Sequence, residues 1–205
     1  MSDSALDTVR AELPLLHHTP IAWAELAAEH LGEFLADHAI CEQQAALFGL
    51  SLIGHYPDDE ELIRQMGNLA AEEVSHLRRV ANLLFKRGLT IGKKRTNPWV
   101  SGLHGFMRKD RADTLKLDRL FVGALIEARS CERFTTLLSV IEERDPEVAR
   151  LLVDLGPAEK RHWRMFYALA EREAQGDALT ERWREWLEHE AALSRQGGVR
   201  PLVHG

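Results

Sequence analysis

The 205-residue sequence predicts an all-α protein with two long helical hairpins, a long crossover between them and a further helix near the C-terminus. Apolar residues recur at helical spacing along most of the chain, and no stretch alternates apolar and polar residues as a half-buried strand would. Leu, Ala, Glu and Arg, which favour helices, are also abundant, whereas Tyr occurs only twice.

The first hairpin is predicted to begin at Thr19-Pro20, where a hydroxyl can cap the first turn and a proline takes the first helical position. Helical spacing then continues for some 35 residues until the stretch HYPDDE at 55–60, which predicts the turn. The second helix is predicted from about Pro57 to Arg87, where Gly88 is placed to end it.

The stretch 88–111 contains four glycines and shows no sustained periodicity, so it predicts a long irregular crossover. The third helix is predicted at about 112–144 and the fourth from the turn RDPE at 144–147 to about 175. Two helical hairpins joined by one long crossover are the arrangement of a ferritin-like four-helix bundle.

We therefore expect a single ferritin-like domain over residues 1–205, with the bundle at about 20–175 and an extra C-terminal helix at about 178–196. A chain of this length can bury a sizeable core without disulfides. Cys41 and Cys131 form no Cys-x-x-Cys pair, which argues against a rubredoxin-type centre. The N-terminus lacks a signal-peptide pattern and no stretch is long and apolar enough to span a membrane, so we expect a cytoplasmic protein.

The motif Glu-x-x-His occurs twice, as Glu73 with His76 and as Glu159 with His162, in the predicted second and fourth helices. Residues three apart on a helix lie on one face, so each pair could hold one metal ion. A single copy of this motif is common on solvated helices, but two copies on alternate helices indicate a dinuclear site.

Such a site further requires one inward carboxylate from each of the other two helices. Glu42 meets this requirement, because it lies 31 residues before Glu73 with the predicted turn almost midway, and its helix face is apolar. His38 lies one turn before Glu42 and could hydrogen-bond to a ligand, but such histidines are more often ordinary core or surface residues, and we assign it no role.

The third helix offers two candidates. Glu127 lies 32 residues before Glu159 on an apolar stripe, whereas Glu132 matches Glu42 through a repeated Cys-Glu pair. We prefer Glu127 as the metal ligand and keep Glu132 as the alternative. Whichever of the two is not a ligand is expected to hydrogen-bond to one. Carboxylates and imidazoles suit iron or manganese. Trp163, Phe166 and Tyr167, which follow the second motif at helical spacing, are interpreted as packing residues.

The chain resembles the bacterial tRNA 2-methylthio-isopentenyladenosine hydroxylases, a family of ferritin-like diiron monooxygenases. The resemblance rests on DHAICEQQAA at 37–46, AAEEVSHLRR at 70–79, GALIEARSCERF at 123–134 and PAEKRHWRMF at 157–166. It implies hydroxylation of the isopentenyl group on a modified adenosine next to the tRNA anticodon, with O₂ and two electrons from a separate reductase. The implied ligands of two irons are Glu42, Glu73, His76, Glu127 (or Glu132), Glu159 and His162.

Charge is unevenly distributed in a way that fits an RNA substrate. The net charge is −6, yet residues 86–111 hold eight basic residues and one acid, so this stretch carries +7 and the remainder −13. Trp99 could stack on an unpaired base, and the alternative is a solvated crossover that only aids solubility. The basic residues that could neutralise phosphates are Lys93, Lys94, Arg95, Arg108, Lys109 and Arg111.

Three other classes of protein remain as alternatives. Iron storage or protection against oxidative stress uses a similar bundle and dinuclear site, but storage needs assembly into a cage. Peroxide reductases with a rubredoxin module are disfavoured because the chain lacks the cysteine pairs. A metal-free helical protein is the simplest alternative. We expect a monomer or dimer.

Overall fold

The computed structural model describes residues 3–93, 96–109, 112–196 and 200–204, and this part of the chain contains eight α-helices and no strand. Among the described helices, none has the length and the apolar character that crossing a bilayer would require. The helices are α1 (Asp3–Glu12), α2 (Ile21–Glu29), α3 (Leu31–His55), α4 (Glu60–Lys86), α5 (Pro98–Phe106), α6 (Ala112–Ile141), α7 (Pro146–Glu173) and α8 (Gly176–Gln196).

The chain divides into two compact units. One comprises Glu29–Arg95 and Pro201–Val203 and therefore contains α3 and α4. The other comprises Met1–Ala28, Thr96–Arg200 and His204–Gly205 and contains the other six described helices. The predicted first and second hairpins thus belong to different units.

In the first unit, α3 and α4 form the predicted helical hairpin. The Asp59 side chain accepts a hydrogen bond from the Leu62 backbone N–H and so caps the start of α4. Gly88, at φ +70°, follows the last turn as predicted. A Cβ atom at Gly49 would lie 3.3 Å from the carbonyl oxygen of Met66, so a glycine here lets the two helices approach closely.

The predicted first helix is interrupted at His30, whose φ of −117° and ψ of 41° are not helical. The first part, α2, belongs to the second unit and the remainder is α3. Neither glycine nor proline stands at His30, so local sequence gives no signal for the break. Two residues later, a Cβ atom at Gly32 would lie 3.1 Å from the Leu89 side chain, so a glycine lets the start of α3 approach the residue that follows α4.

In the second unit, α6 and α7 form the second predicted hairpin. Asp145 caps α7 by accepting a hydrogen bond from the Val148 N–H, and Pro146 takes the first helical position. A Cβ atom at Gly123 would lie 2.7 Å from the buried ring of Phe166, so this ring occupies the space that a side chain on α6 would fill. The predicted boundaries of both helices agree with the structure within about three residues.

The crossover is not irregular throughout, which corrects the prediction. It contains α5, whose first turn is capped by Asn97 and begins with Pro98. Asn followed by Pro is a helix-start signal, but the glycines at 102 and 105 mask the periodicity after it. A Cβ atom at Gly102 would lie 2.7 Å from the Leu193 side chain on α8, so this glycine serves packing rather than flexibility.

A buried ionic cluster connects the crossover with α6 and α8. Asp118 is fully buried and accepts two hydrogen bonds from the Arg182 guanidinium at 2.7 and 2.8 Å. It also accepts bonds from the Trp186 indole and from the backbone N–H of Arg108. Burial opposes ionisation of Asp118, but these donors outweigh it and hold the pKa of Asp118 below its usual value.

We expect Asp118→Asn to lower the free energy of unfolding by about 3 kcal/mol at pH 7, because it leaves the buried Arg182 without its carboxylate. Since the pKa of Asp118 is lowered by folding, its contribution is present at neutral pH and is lost as pH falls towards the folded-state pKa. Urea denaturation at pH 7 and pH 4 measures both effects. As a control, Glu188→Gln, which removes an exposed pair with Arg184, should cost below about 1 kcal/mol.

An unfolding free energy for Asp118→Asn within about 0.5 kcal/mol of the wild-type value would contradict a stabilising role for this cluster.

Candidate metal centre

The first unit buries three of the predicted ligands beside one another. Glu42 lies on α3, and Glu73 and His76 lie on α4; their exposed fractions are 4%, 0% and 5%. One ligand atom of each lies within 4.8 Å of the others. Nδ1 of His76 is 3.6 Å from Glu42 Oε2 and 3.5 Å from Glu73 Oε2. We call these three residues the first trio.

The electrostatics of the first trio favour a bound cation. Burial and the adjacent Glu73 carboxylate raise the pKa of Glu42 well above its usual value. Burial opposes protonation of His76, but the two carboxylates outweigh it and raise its pKa to about 9. Both shifts have the same origin, because two acidic groups in a dry interior stabilise any positive charge placed next to them.

His38 hydrogen-bonds to one of these carboxylates, a role that the sequence allowed but did not favour. It is fully buried, and its Nε2 lies 2.5 Å from Glu42 Oε1. Burial and the neighbouring His76 lower the pKa of His38 to about 3, so it is neutral at physiological pH and shares a hydrogen bond with Glu42. The four-residue spacing from His38 to Glu42 was the available signal.

The second unit buries an equivalent set. Glu127 lies on α6, and Glu159 and His162 lie on α7; their exposed fractions are 3%, 3% and 5%. One ligand atom of each again lies within 4.8 Å of the others, and His162 Nδ1 is 3.8 Å from Glu127 Oε2. We call these three residues the second trio. Each hairpin thus presents one carboxylate from its first helix and a Glu-x-x-His pair from its second.

Glu132, the other candidate on α6, has different neighbours. Its Oε1 accepts hydrogen bonds from the Arg10 guanidinium and from the Thr19 backbone N–H, and its Oε2 accepts from Arg129 at 3.1 Å and from the Thr19 hydroxyl. Burial opposes ionisation, but the arginines and Thr19 outweigh it and lower the pKa of Glu132. Its oxygens are engaged by protein donors, which favours Glu127 over Glu132 as a ligand.

The donors of the two trios fit divalent iron or manganese. Each trio offers two carboxylates and one imidazole, the donor types that these ions take in helical bundles. Glu42 has the imidazoles of His38 and His76 around it rather than an arginine or lysine. Positive charge supplied by a metal would therefore replace the lost hydration of these buried acids.

The predicted RNA-binding residues are only partly described. Lys94, Arg95 and Arg111 lie outside the described residues. Lys93 and Lys109 are exposed, whereas the Arg108 guanidinium is paired with Glu185 at 2.9 Å. The described part of the crossover therefore offers two exposed lysines for contact with phosphates.

Trp99 does not have the exposed ring that base stacking would require. It is buried, its indole N–H donates to Ser194 Oγ, and its ring stacks on His204 at 4.9 Å with an interplanar angle of 4°. The hypothesis that Trp99 stacks on an unpaired base is therefore wrong in this structure. His204, the residue that covers it, lies in the C-terminal tail.

Comparison with known proteins places these observations in a family. The family described as tRNA-(MS[2]IO[6]A)-hydroxylase (MiaE) matches residues 8–204. A tRNA 2-(methylsulfanyl)-N(6)-isopentenyladenosine(37) hydroxylase of Pseudomonas putida is 39% identical over 152 residues, 74% of this chain and 72% of that protein. The protein of the same name from Salmonella typhimurium is 27% identical, covering 85% of this chain and 81% of its own length.

A solved structure, protein 43 with aldehyde deformylating oxygenase activity from Synechococcus, has the same fold. It matches with a TM-score of 0.87 and 29% identity over 93% of this chain and 95% of its own. This likeness confirms the predicted fold class, an all-α ferritin-like four-helix bundle. With the family match over residues 8–204, the chain belongs to the tRNA-(MS[2]IO[6]A)-hydroxylase (MiaE) family.

Proposed function

We propose that this protein is an O₂-dependent diiron monooxygenase that hydroxylates the isopentenyl group of 2-methylthio-isopentenyladenosine next to the anticodon of tRNA. The observation that supports it most is the repeated, buried set of two carboxylates and one imidazole, which lies in a chain matched almost throughout by this hydroxylase family. The related proteins from P. putida and S. typhimurium carry the corresponding name.

The ligands that we propose for two iron ions are the six residues of the two trios, with Glu127 and not Glu132 from α6. When bound, the irons would supply the activation of O₂, with one oxygen atom entering a C–H bond and the other leaving as water. Two electrons and two protons balance this reaction, and we propose that a separate reductase supplies the electrons. The six ligands are Glu42, Glu73, His76, Glu127, Glu159 and His162.

The residues of the chain hold these ligands in a dry and ordered site. His38 hydrogen-bonds to Glu42 and limits the positions of that carboxylate. Burial of each trio below about 5% exposure keeps bulk water away, which strengthens electrostatic interactions and protects reactive species from side reactions. The close approach at Gly49 and at Gly123 brings the helices of each hairpin near enough for their ligands to share one ion.

Partners and location follow from the proposed substrate. The tRNA anticodon stem-loop would be held in part by the basic crossover, where Lys93 and Lys109 are exposed, together with Lys94, Arg95, Arg108 and Arg111. The protein would act in the cytoplasm, as a single catalytic domain and as a monomer or dimer. Iron storage in a cage is the alternative, and light scattering of the purified protein separates the two because a cage has many subunits.

The choice between Glu127 and Glu132 leads to opposite expectations for two matched variants. Glu127→Gln should stay folded but lose about half of the bound iron, because it removes a ligand and leaves the surrounding packing intact. Glu132→Gln should keep its iron per folded chain but lose about 3 kcal/mol of unfolding free energy, because it leaves Arg129 and Arg10 without a carboxylate. Iron analysis and urea denaturation of both proteins measure this.

The reverse pattern, with iron lost from Glu132→Gln and retained in Glu127→Gln, would identify Glu132 as the ligand.

Mass spectrometry of tRNA nucleosides tests the proposed reaction. Cells that lack this activity should accumulate the isopentenyl nucleoside, and expression of the wild-type protein in air should add one oxygen atom to it. Glu159→Gln should reduce the hydroxylated product about 100-fold or more, because loss of a ligand exceeds the effect of removing an outer partner. The Glu188→Gln protein is the control, because Glu188 is exposed on α8 and far from both trios in the sequence. It should form as much hydroxylated nucleoside as the wild-type protein.

If the wild-type protein adds no oxygen to the nucleoside, the proposed reaction is wrong.

A further inference from the structure

The indole of Trp163 has an unusual environment for a packing residue. It directly follows His162 and lies one turn after Glu159, so it borders the helix face that carries the second trio. The residue is only half-buried, yet its Nε1 is shielded from solvent and has no hydrogen-bond acceptor in the described part of the chain. Shielded indole N–H groups usually have an acceptor, so the position of Trp163 leaves one hydrogen bond of its side chain unmade.

The ring of Trp163 is held by an aromatic cluster. Tyr167, one turn further along α7, contacts it edge-on with ring centroids 6.3 Å apart. Tyr167 in turn packs at 5.2 Å on Trp183, which lies 4.8 Å from the buried Phe121. A ring supported in this way loses little conformational freedom when it binds a flat partner.

Positive charge lies beside this ring. The Arg164 guanidinium is 5.8 Å from the centroid of the Trp163 ring and is exposed. Arg161 is also exposed, and Lys160 lies one turn before Arg164 and contacts Glu12. An aromatic ring flanked by exposed arginine is a surface that suits a nucleobase and its phosphate.

The internal repeat shows which residue of this surface has no counterpart after the first motif. Aligning the two Glu-x-x-His motifs places Leu77 opposite Trp163 and Arg78 opposite Arg164. Arg78 and Arg164 are both exposed. The arginine is therefore common to both copies, whereas the large aromatic ring with its N–H donor occurs only after the second motif.

We propose that Trp163 and Arg164 form the recognition site for the target nucleotide of the RNA, with the indole contacting the purine ring and the guanidinium contacting a neighbouring phosphate. The contact between the Trp163 ring and the base supplies the part of the affinity that depends on the base. Arg164 binds phosphate irrespective of sequence. This inference rests on the proposed function and names residues that place the base one helical turn from Glu159.

Four variants of the iron-loaded protein test this site. Trp163→Phe keeps an aromatic face of smaller area, Trp163→Leu copies the residue of the first motif, and Arg164→Ala removes the charge. Arg150→Ala is the matched control, because Arg150 is an exposed arginine on the same helix, 14 residues or about 21 Å before Arg164. The probes are anticodon stem-loop RNAs with and without the isopentenyl-modified adenosine, and fluorescence anisotropy gives each Kd as a function of salt.

Trp163→Phe should weaken binding of the modified RNA about 5-fold, because the ring that contacts the base is smaller, and Trp163→Leu about 30-fold, because the aromatic contact is lost. Both should raise KM more than they lower kcat. Arg164→Ala should weaken binding of both RNAs by a similar factor. It should also reduce the slope of log Kd against log salt concentration by the amount that about one phosphate contact contributes. Arg150→Ala should bind within about twofold of wild type.

The inference is overturned if Trp163→Leu binds the modified RNA as wild type does. It is also overturned if that variant loses iron or thermal stability while KM is unchanged, since Trp163 would then serve packing alone. A wild-type protein that hydroxylates the nucleoside while both Trp163 variants behave normally would overturn only this inference. A wild-type protein that neither binds nor hydroxylates the RNA would overturn the proposed function with it.

Discussion

Carboxylates in a protein interior need a compensating positive charge, because they have lost the hydration that stabilises them in water. Each helical hairpin of this protein buries two such groups beside one imidazole. The helix boundaries and the two close glycine contacts at 49 and 123 matter because they place these acids side by side. The chemistry that the family performs depends on how that charge is balanced.

The protein balances its buried acids in two different ways. Asp118 and Glu132 are surrounded by arginine, tryptophan and threonine donors, and folding lowers the pKa of both. Glu42 is surrounded by imidazoles and another carboxylate, and folding raises its pKa. The direction of the pKa shift therefore separates carboxylates that join helices together from a carboxylate suited to hold a metal.

Much of the fold could be predicted because its signals are local. Apolar periodicity, Asp59, Gly88 and Asp145-Pro146 define the long helices and their ends. The repeated Glu-x-x-His pair likewise predicts residues that share a face. The break at His30 was missed because no glycine or proline marks it, and α5 was missed because glycines that pack against α8 resemble loop residues.

The features of the site that were missed depend on long-range contacts. The sequence could not settle the choice between Glu127 and Glu132, because the donors that engage Glu132 include Arg10 and Thr19, more than 110 residues away, as well as the nearby Arg129. The burial of Trp99 likewise depends on His204 in the C-terminal tail. Periodicity describes which face of a helix a residue occupies, whereas these cases depend on which distant residue covers that face.

Anomalous X-ray scattering at the iron edge, from crystals of the iron-loaded protein, tests the central claim most directly. The account predicts two iron peaks per chain, one bound by Glu42, Glu73 and His76 and the other bound by Glu127, Glu159 and His162, with Glu132 still bonded to Arg129. It would be contradicted by iron bound elsewhere on the chain, or by both trios remaining without iron under conditions in which the protein hydroxylates its substrate.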